Sequence, residues 1–147
     1  MSVATKAAAR EEFLPLMREL ARTYQAFAAY DASGYKDANL TVSQADVIFA
    51  LGNTVGLTFK EIGERTLITK GTLTGVVDRL EEKGLVDRIV SSEDRRCTRV
   101  TLTKKGNRVF EKEFPRQIKY LKQRFEKLTK SDAQMALRSL KKIKELF

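Results

Sequence analysis

Leu73, Val76, Val77 and Leu80 fall at i, i+3, i+4 and i+7, a single apolar stripe on a helix read over 70–83. Just beyond it the period changes. Gly84 supplies the left-handed residue that commonly stops a helix. Residues 85–90 and 98–102 then read as two strands, joined by the polar loop Ser91-Ser92-Glu93-Asp94-Arg95-Arg96-Cys97. Upstream, only Leu67-Ile68-Thr69 separates this helix from one read over 59–66. Helix, tight turn, helix and hairpin in that order form a helix-turn-helix followed by a wing. The fold class is therefore mainly α with a small β-hairpin wing.

The remaining elements follow from helix-start chemistry. Thr41-Val42-Ser43-Gln44, Thr58-Phe59-Lys60-Glu61 and Ser131-Asp132-Ala133-Gln134 each have the capping-box spacing, in which a hydroxyl caps one amide and the residue three on reaches back. Thr69 is placed to cap another helix. The pattern gives helices near 10–30, 42–53, 59–66, 70–83, 104–127 and 132–146, with Pro115 expected to bend the long one. Three terminal helices are amphipathic. Their stripes are Phe13, Leu14, Leu16, Met17, Leu20, Tyr24 and Phe27, then Phe110, Phe114, Ile118, Leu121 and Phe125, then Leu137, Leu140, Ile143, Leu146 and Phe147. A length of 147 residues suits one domain over 1–147, with a reading lobe at 40–106 flanked by partner-seeking helices at 1–39 and 107–147.

Composition excludes more than it proves. The chain has no histidine and one cysteine, Cys97, so Ser-His or Cys-His nucleophiles are impossible and a transition-metal site is improbable. No GxxxxGK[ST] or GxGxxG segment is present to hold phosphates. The expectation is no catalytic residue, no metal and no cofactor. No apolar run reaches the roughly 18 residues that span a bilayer, and no secretory pattern opens the chain, so a cytoplasmic address is expected. The net charge of +9 suits a nucleic-acid partner. Its distribution is uneven: residues 1–39 balance, 40–106 carry eleven basic against nine acidic groups (+2), and 107–147 carry twelve against five (+7).

Leu40-Thr-x-x-Gln44, Lys60-Glu61-Ile62-Gly63 and the run from Thr69 to Arg88 resemble the MarR regulators. The strongest element is Asp94-Arg95-Arg96-x-x-x-Val100-x-Leu102-Thr103-x-x-Gly106, which is similar to that family's wing signature. The resemblance implies an obligate homodimer with interlocked N- and C-terminal helices. It implies two recognition helices in successive major grooves of an operator, with wings at the flanking minor grooves. It also implies a transcription repressor released by a small aromatic or other anionic effector, or in some members by oxidation of a cysteine in the N-terminal helix. This chain has no cysteine there.

The candidate DNA-binding residues are Thr69, Lys70, Gly71, Thr72, Thr74, Gly75 and Arg79 on the recognition helix and Arg95, Arg96 and Arg99 in the wing. Gly71 and Gly75 each cost a helix roughly 1 kcal/mol against alanine, and close approach to a groove gives them a reason. The threonines can hydrogen-bond bases or phosphates, and the cations suit phosphates or guanine edges. Arginine also reads the negative potential of a narrow minor groove, Arg96 being the better placed. The plainer alternative for every one of these is a solvated face, and Arg99 in particular either meets phosphate or faces solvent. Tyr24, Phe27, Tyr30 and Phe49 either line an effector cleft or pack as core. Cys97 is an incidental thiol or one activated by its two arginine neighbours. The rival function is a winged-helix protein-interaction module without specific DNA binding.

Overall fold

The computed structural model describes residues 2–35, 38–90 and 98–147. The chain divides into two compact units, Met1–Val42 and Ser43–Phe147. The first holds α1 (Val3–Ala8) and α2 (Leu14–Ser33). Ser2 opens α1, its hydroxyl accepting from the Thr5 amide at 3.2 Å. The sequence reading of one helix over 10–30 is corrected here. It missed α1, and α2 starts at Leu14 because Pro15, with fixed φ and no amide hydrogen, suits a first turn. No residue of α2 is buried, and Leu16 and Met17 are each 52% exposed.

The second unit runs α3 (Val42–Leu51), β1 (Leu57–Thr58), α4 (Phe59–Thr66), α5 (Lys70–Glu82), β2 (Val86–Val90), β3 (Thr98–Leu102), α6 (Lys104–Phe125) and α7 (Lys130–Lys144). Its core is aliphatic. Ile48 and Leu51 of α3, Ile62 of α4, Leu73 and Leu80 of α5 and Val86 and Val100 of the strands are all buried. Each such side chain contributes about 1.5–3 kcal/mol relative to exposure. The α5 stripe is therefore the floor of this lobe.

The hairpin is part of a three-stranded antiparallel sheet in the order β1-β3-β2. Arg88 lies opposite Val100, Val90 opposite Thr98, and Leu57 pairs with Val100 across the other edge. A two-stranded wing was expected from sequence. The third strand escaped because two residues are too few to show a period. Helix α5 ends in a Schellman arrangement: the Leu85 amide donates to the Leu80 carbonyl at 2.9 Å and the Gly84 amide to Glu81 at 2.8 Å, with Gly84 at φ 67°. Gly106 then lets α6 start against this corner. A Cβ there would collide with the Leu85 carbonyl oxygen.

Helix α6 continues through Pro115 to Phe125. Helix α7 corrects the sequence reading by starting at Lys130 instead of 132. Its cap is Thr129, which accepts from the Asp132 amide at 3.1 Å and donates to the Asp132 carboxylate at 2.6 Å. Thr129 takes the cap two residues before the Ser131-x-x-Gln134 spacing, without the backbone half of a capping box, and Ser131 falls inside the helix.

Candidate nucleic-acid interface

The approach to α5 is set by two turns. Thr58 and Glu61 form a complete capping box: the Thr58 amide donates to Glu61 Oε2 at 2.7 Å, and the Glu61 amide donates to Thr58 Oγ1 at 3.2 Å. The Thr58 backbone and hydroxyl hydrogen bonds hold the Glu61 carboxyl below the usual glutamate range, with nearby Arg99 and Arg65 acting the same way. Leu67 ends α4 in the left-handed region at φ 59°, its amide donating to Gly63 at 2.9 Å. Ile68 and Thr69 complete the turn.

Thr69 stands at the N-cap of α5 in extended conformation, but its side chain makes no cap hydrogen bond. This corrects the expectation that Thr69 caps with its hydroxyl, which instead donates to Thr72 Oγ1 at 3.2 Å. The Thr69 carbonyl takes the amides of Thr72 and Leu73. Among the described residues nothing meets the amides of Lys70 and Gly71, and open amides at a helix start favour an anion. The outer face of α5 is small and cationic. Thr69, Lys70, Gly71, Thr72, Thr74 and Arg79 are exposed and Gly75 is half-buried. A Cβ on Gly71 would meet nothing within 4 Å, and one on Gly75 only the Arg79 guanidinium at 3.8 Å. Neither glycine is required by the packing of its own chain.

Arg88 of β2 fastens α5 to the wing. Its guanidinium donates to Asp78, and to Glu81 at 2.8 Å, and stacks 5.6 Å from the Phe59 ring centroid. An open groove of about 940 Å³ lies between α4, the start of α5 and the strands, and Lys60, Glu64, Lys70, Asp78 and Arg88 are among its lining residues. Helix, turn, helix and wing strand are thus one rigid surface with a smooth cationic face.

The MarR family model matches residues 38–96. An HTH-type transcriptional regulator of Bacillus subtilis, YfiV, is 30% identical over 75% of this chain and 69% of its own. The chain belongs to the MarR family. HTH-type transcriptional regulator SarZ of Staphylococcus haemolyticus is 38% identical over 48% of each chain, so this chain spans about half the length of that relative. A solved structure of Bordetella bronchiseptica BpsR, described as regulated in DNA binding by 6-hydroxynicotinic acid, superposes with TM-score 0.77 at 26% identity, covering 88% of this chain and 98% of that one. Relatives of this MarR chain are transcription regulators. Among its described residues, no helix is long and apolar enough to cross a membrane.

Within the MarR lobe, α5 brings Thr69, Lys70, Gly71, Thr72, Thr74, Gly75 and Arg79 onto one element. Arg99 lies apart on β3, where its guanidinium donates to the Gly56 carbonyl at 3.0 Å and stands 4.0 Å from Glu61. It braces β1 and the start of α4. Arg95, Arg96 and Cys97 lie outside the described residues. Tyr24, Phe27 and Tyr30 lie on α2 in the first unit, whereas Phe49 lies on α3 in the second. Tyr24 is 70% exposed. Phe49 packs edge-on against Phe114 at 5.2 Å and against Phe110 at 6.4 Å, as core aromatics do. Sequence reasoning gave neither Arg88 nor Asp78 a role. The available signal was an acidic pair at 78 and 81, one turn apart, preceding an arginine in the next strand.

Proposed function

We propose that the chain is a sequence-specific regulator that binds double-stranded DNA as a cytoplasmic homodimer, on an inverted-repeat operator, and acts without catalysis. The observation that carries this reading is the outer face of α5: Gly71, which faces open space, and Gly75, which faces only the Arg79 guanidinium, flanked by exposed Thr72, Thr74, Lys70 and Arg79. A face without bulk lets a helix approach base edges, and hydroxyls and cations supply the hydrogen bonds for them. Arg95 and Arg96 in the wing complete the contact at the minor groove. A protein-interaction module would present an acidic or apolar face in the same place.

Dimerisation through residues 1–39 and 107–147 is supported by the apolar side chains that these segments leave exposed, among them Leu137 at 54%, Leu140 at 52% and Ile118 at 50%. Selection of bound sequences from a random duplex pool tests the whole reading. The expected product is an inverted repeat with half-site centres about 10 bp apart or a near multiple. Failure to enrich any sequence would overturn it.

Ligand-responsive repression is the regulatory part of the proposal. It is supported by the likeness to BpsR, whose DNA binding is regulated by 6-hydroxynicotinic acid. An aromatic carboxylate should lower operator affinity by about 1–3 kcal/mol of coupling, and operator should weaken the ligand equally. Affinity unchanged across a panel containing 6-hydroxynicotinic acid would remove it. Phe49, which packs in the lobe, is the weakest of the four aromatic candidates.

A further inference from the structure

Lys104, Arg108, Lys112, Arg116, Lys119 and Lys122 recur every three or four residues along α6. At 3.6 residues per turn they share one face, an arc of roughly 120°, over a length of roughly 27 Å. All are exposed except half-buried Arg116. The other sides of the helix differ in kind. Phe110, Glu113 and Gln117 are buried, and Phe114, Ile118 and Phe125 form an exposed apolar edge. Glu113, only 4% exposed, receives Arg116 at 3.1 Å and Lys112 at 3.4 Å. Among the described residues Lys104, Arg108, Lys119 and Lys122 meet no carboxylate. Glu111 stands at the border of the stripe and pairs with none of them.

Like charges repeated at i, i+4 destabilise a helix by a few tenths of a kcal/mol per pair. The chain carries this cost although residues 107–147 hold +7 of its +9 while the reading lobe at 40–106 holds +2. The stripe is also continuous with the lobe. Helix α6 begins one residue after β3, and its first turn is tied to the end of α5: Thr103 Oγ1 donates to the Gly84 carbonyl at 2.8 Å and Lys105 Nζ to the Lys83 carbonyl at 2.7 Å. A DNA strand carries one phosphate per roughly 3.4 Å of axis, so the stripe is as long as about eight base pairs of duplex. Solvation alone would favour interspersed acidic residues on such a face.

We propose that the cationic face of α6 binds the phosphate backbone of duplex DNA flanking the operator, extending the contact beyond the recognition helix and wing. This rests on the DNA-binding reading above. It requires the flanking duplex to bend towards α6, a deformation of the kind that extra backbone contacts repay.

The test compares wild type with the double variant Lys119→Glu/Lys122→Glu, both positions being exposed and remote in sequence from α5, after sedimentation has established that the variant keeps the wild-type assembly. The probes are the duplex recovered by selection, trimmed to about two helical turns, and the same duplex extended by about two turns on each side. Wild type should bind the extended duplex about tenfold more tightly, with the steeper salt dependence. The double variant should lose that gain, flatten the salt slope on the extended duplex by about 2, and bind the trimmed duplex as wild type does. The pair Lys119→Arg/Lys122→Arg should keep the gain. Equal affinity of wild type for both lengths would overturn the proposal, as would a variant weakened equally on both. Length-independent binding with bridged duplexes would instead assign the face to a second DNA molecule and also overturn it. If selection recovers no sequence, the DNA-binding reading itself fails, whereas a recovered operator without a length effect fails only this extension.

Discussion

Helices α5 and α7 carry the same kind of apolar stripe and meet opposite fates. Leu73, Val76, Val77 and Leu80 of α5 are all buried inside their own lobe. Leu137 and Leu140 of α7 remain about half exposed, and no residue of α7 is buried. A stripe therefore states that a helix needs a partner and leaves open which partner. For α5 the partner is the rest of the lobe, and for the terminal helices we propose a second copy of the chain.

The sharpest way to break this comparison is to cut each stripe. Leu80→Ala should destabilise the lobe by about 2–5 kcal/mol through lost transfer energy and a cavity. Urea unfolding should show that loss at every protein concentration. Leu140→Ala should act through association, so its penalty should vanish in dilute protein and grow to a plateau as protein concentration rises. A Leu140→Ala penalty independent of concentration would mean that α7 packs within its own chain.

The second prediction separates the wing from α5. Arg96→Ala should weaken operator binding by about 1–3 kcal/mol and flatten the salt dependence, because a phosphate or minor-groove contact carries little sequence information. Sequence preference at the centre of each half-site should survive, since α5 is untouched, and thermal stability should hardly move. Affinity equal to wild type at matched salt would remove the wing from the contact.

Gly71→Ala should have effects of opposite sign. Helix propensity predicts a gain of about 0.5–1 kcal/mol in stability, because nothing in the chain obstructs a methyl group there. DNA affinity should fall if base edges come within van der Waals reach of α5. A variant that is more stable and binds unchanged would show that the glycine face is not a close-approach surface.

The smallest effect concerns Glu61. Its carboxyl is held below the ordinary value of 4.5 in the folded chain, first by the Thr58 amide. Its contribution to stability is therefore complete above 4.5 and is lost as pH falls through the lower folded value. Glu61→Gln should remove that part of the pH dependence while keeping a neutral acceptor. Urea midpoints at neutral pH and in acid give the difference; an identical acid slope for both proteins would show that the box is electrostatically idle.

The residues that were legible in advance share one property. The Thr58–Glu61 box, the Gly84 stop, the α5 stripe and the period change into the wing all depend on neighbours three to five residues away, whose geometry the backbone repeat dictates. The same locality explains the near misses. Two overlapping capping spacings compete around residues 129–134, and at Thr69 a hydroxyl with the right spacing donates to its neighbour Thr72 instead of capping.

By itself, then, the sequence determined the order of helix, turn, helix and hairpin, the family, and the number and spacing of the cations on α5 and α6. Tertiary structure decided what each cation and stripe faces. It tied Arg88 to Asp78 across ten residues and Arg99 to the Gly56 carbonyl across forty-three, and it added β1 to the wing. It left the α6 stripe open along one side and packed Phe49 against Phe110 and Phe114. The physical reason is that periodicity and capping are properties of the backbone repeat, whereas the partner of a long side chain depends on which distant segment the fold brings within its reach.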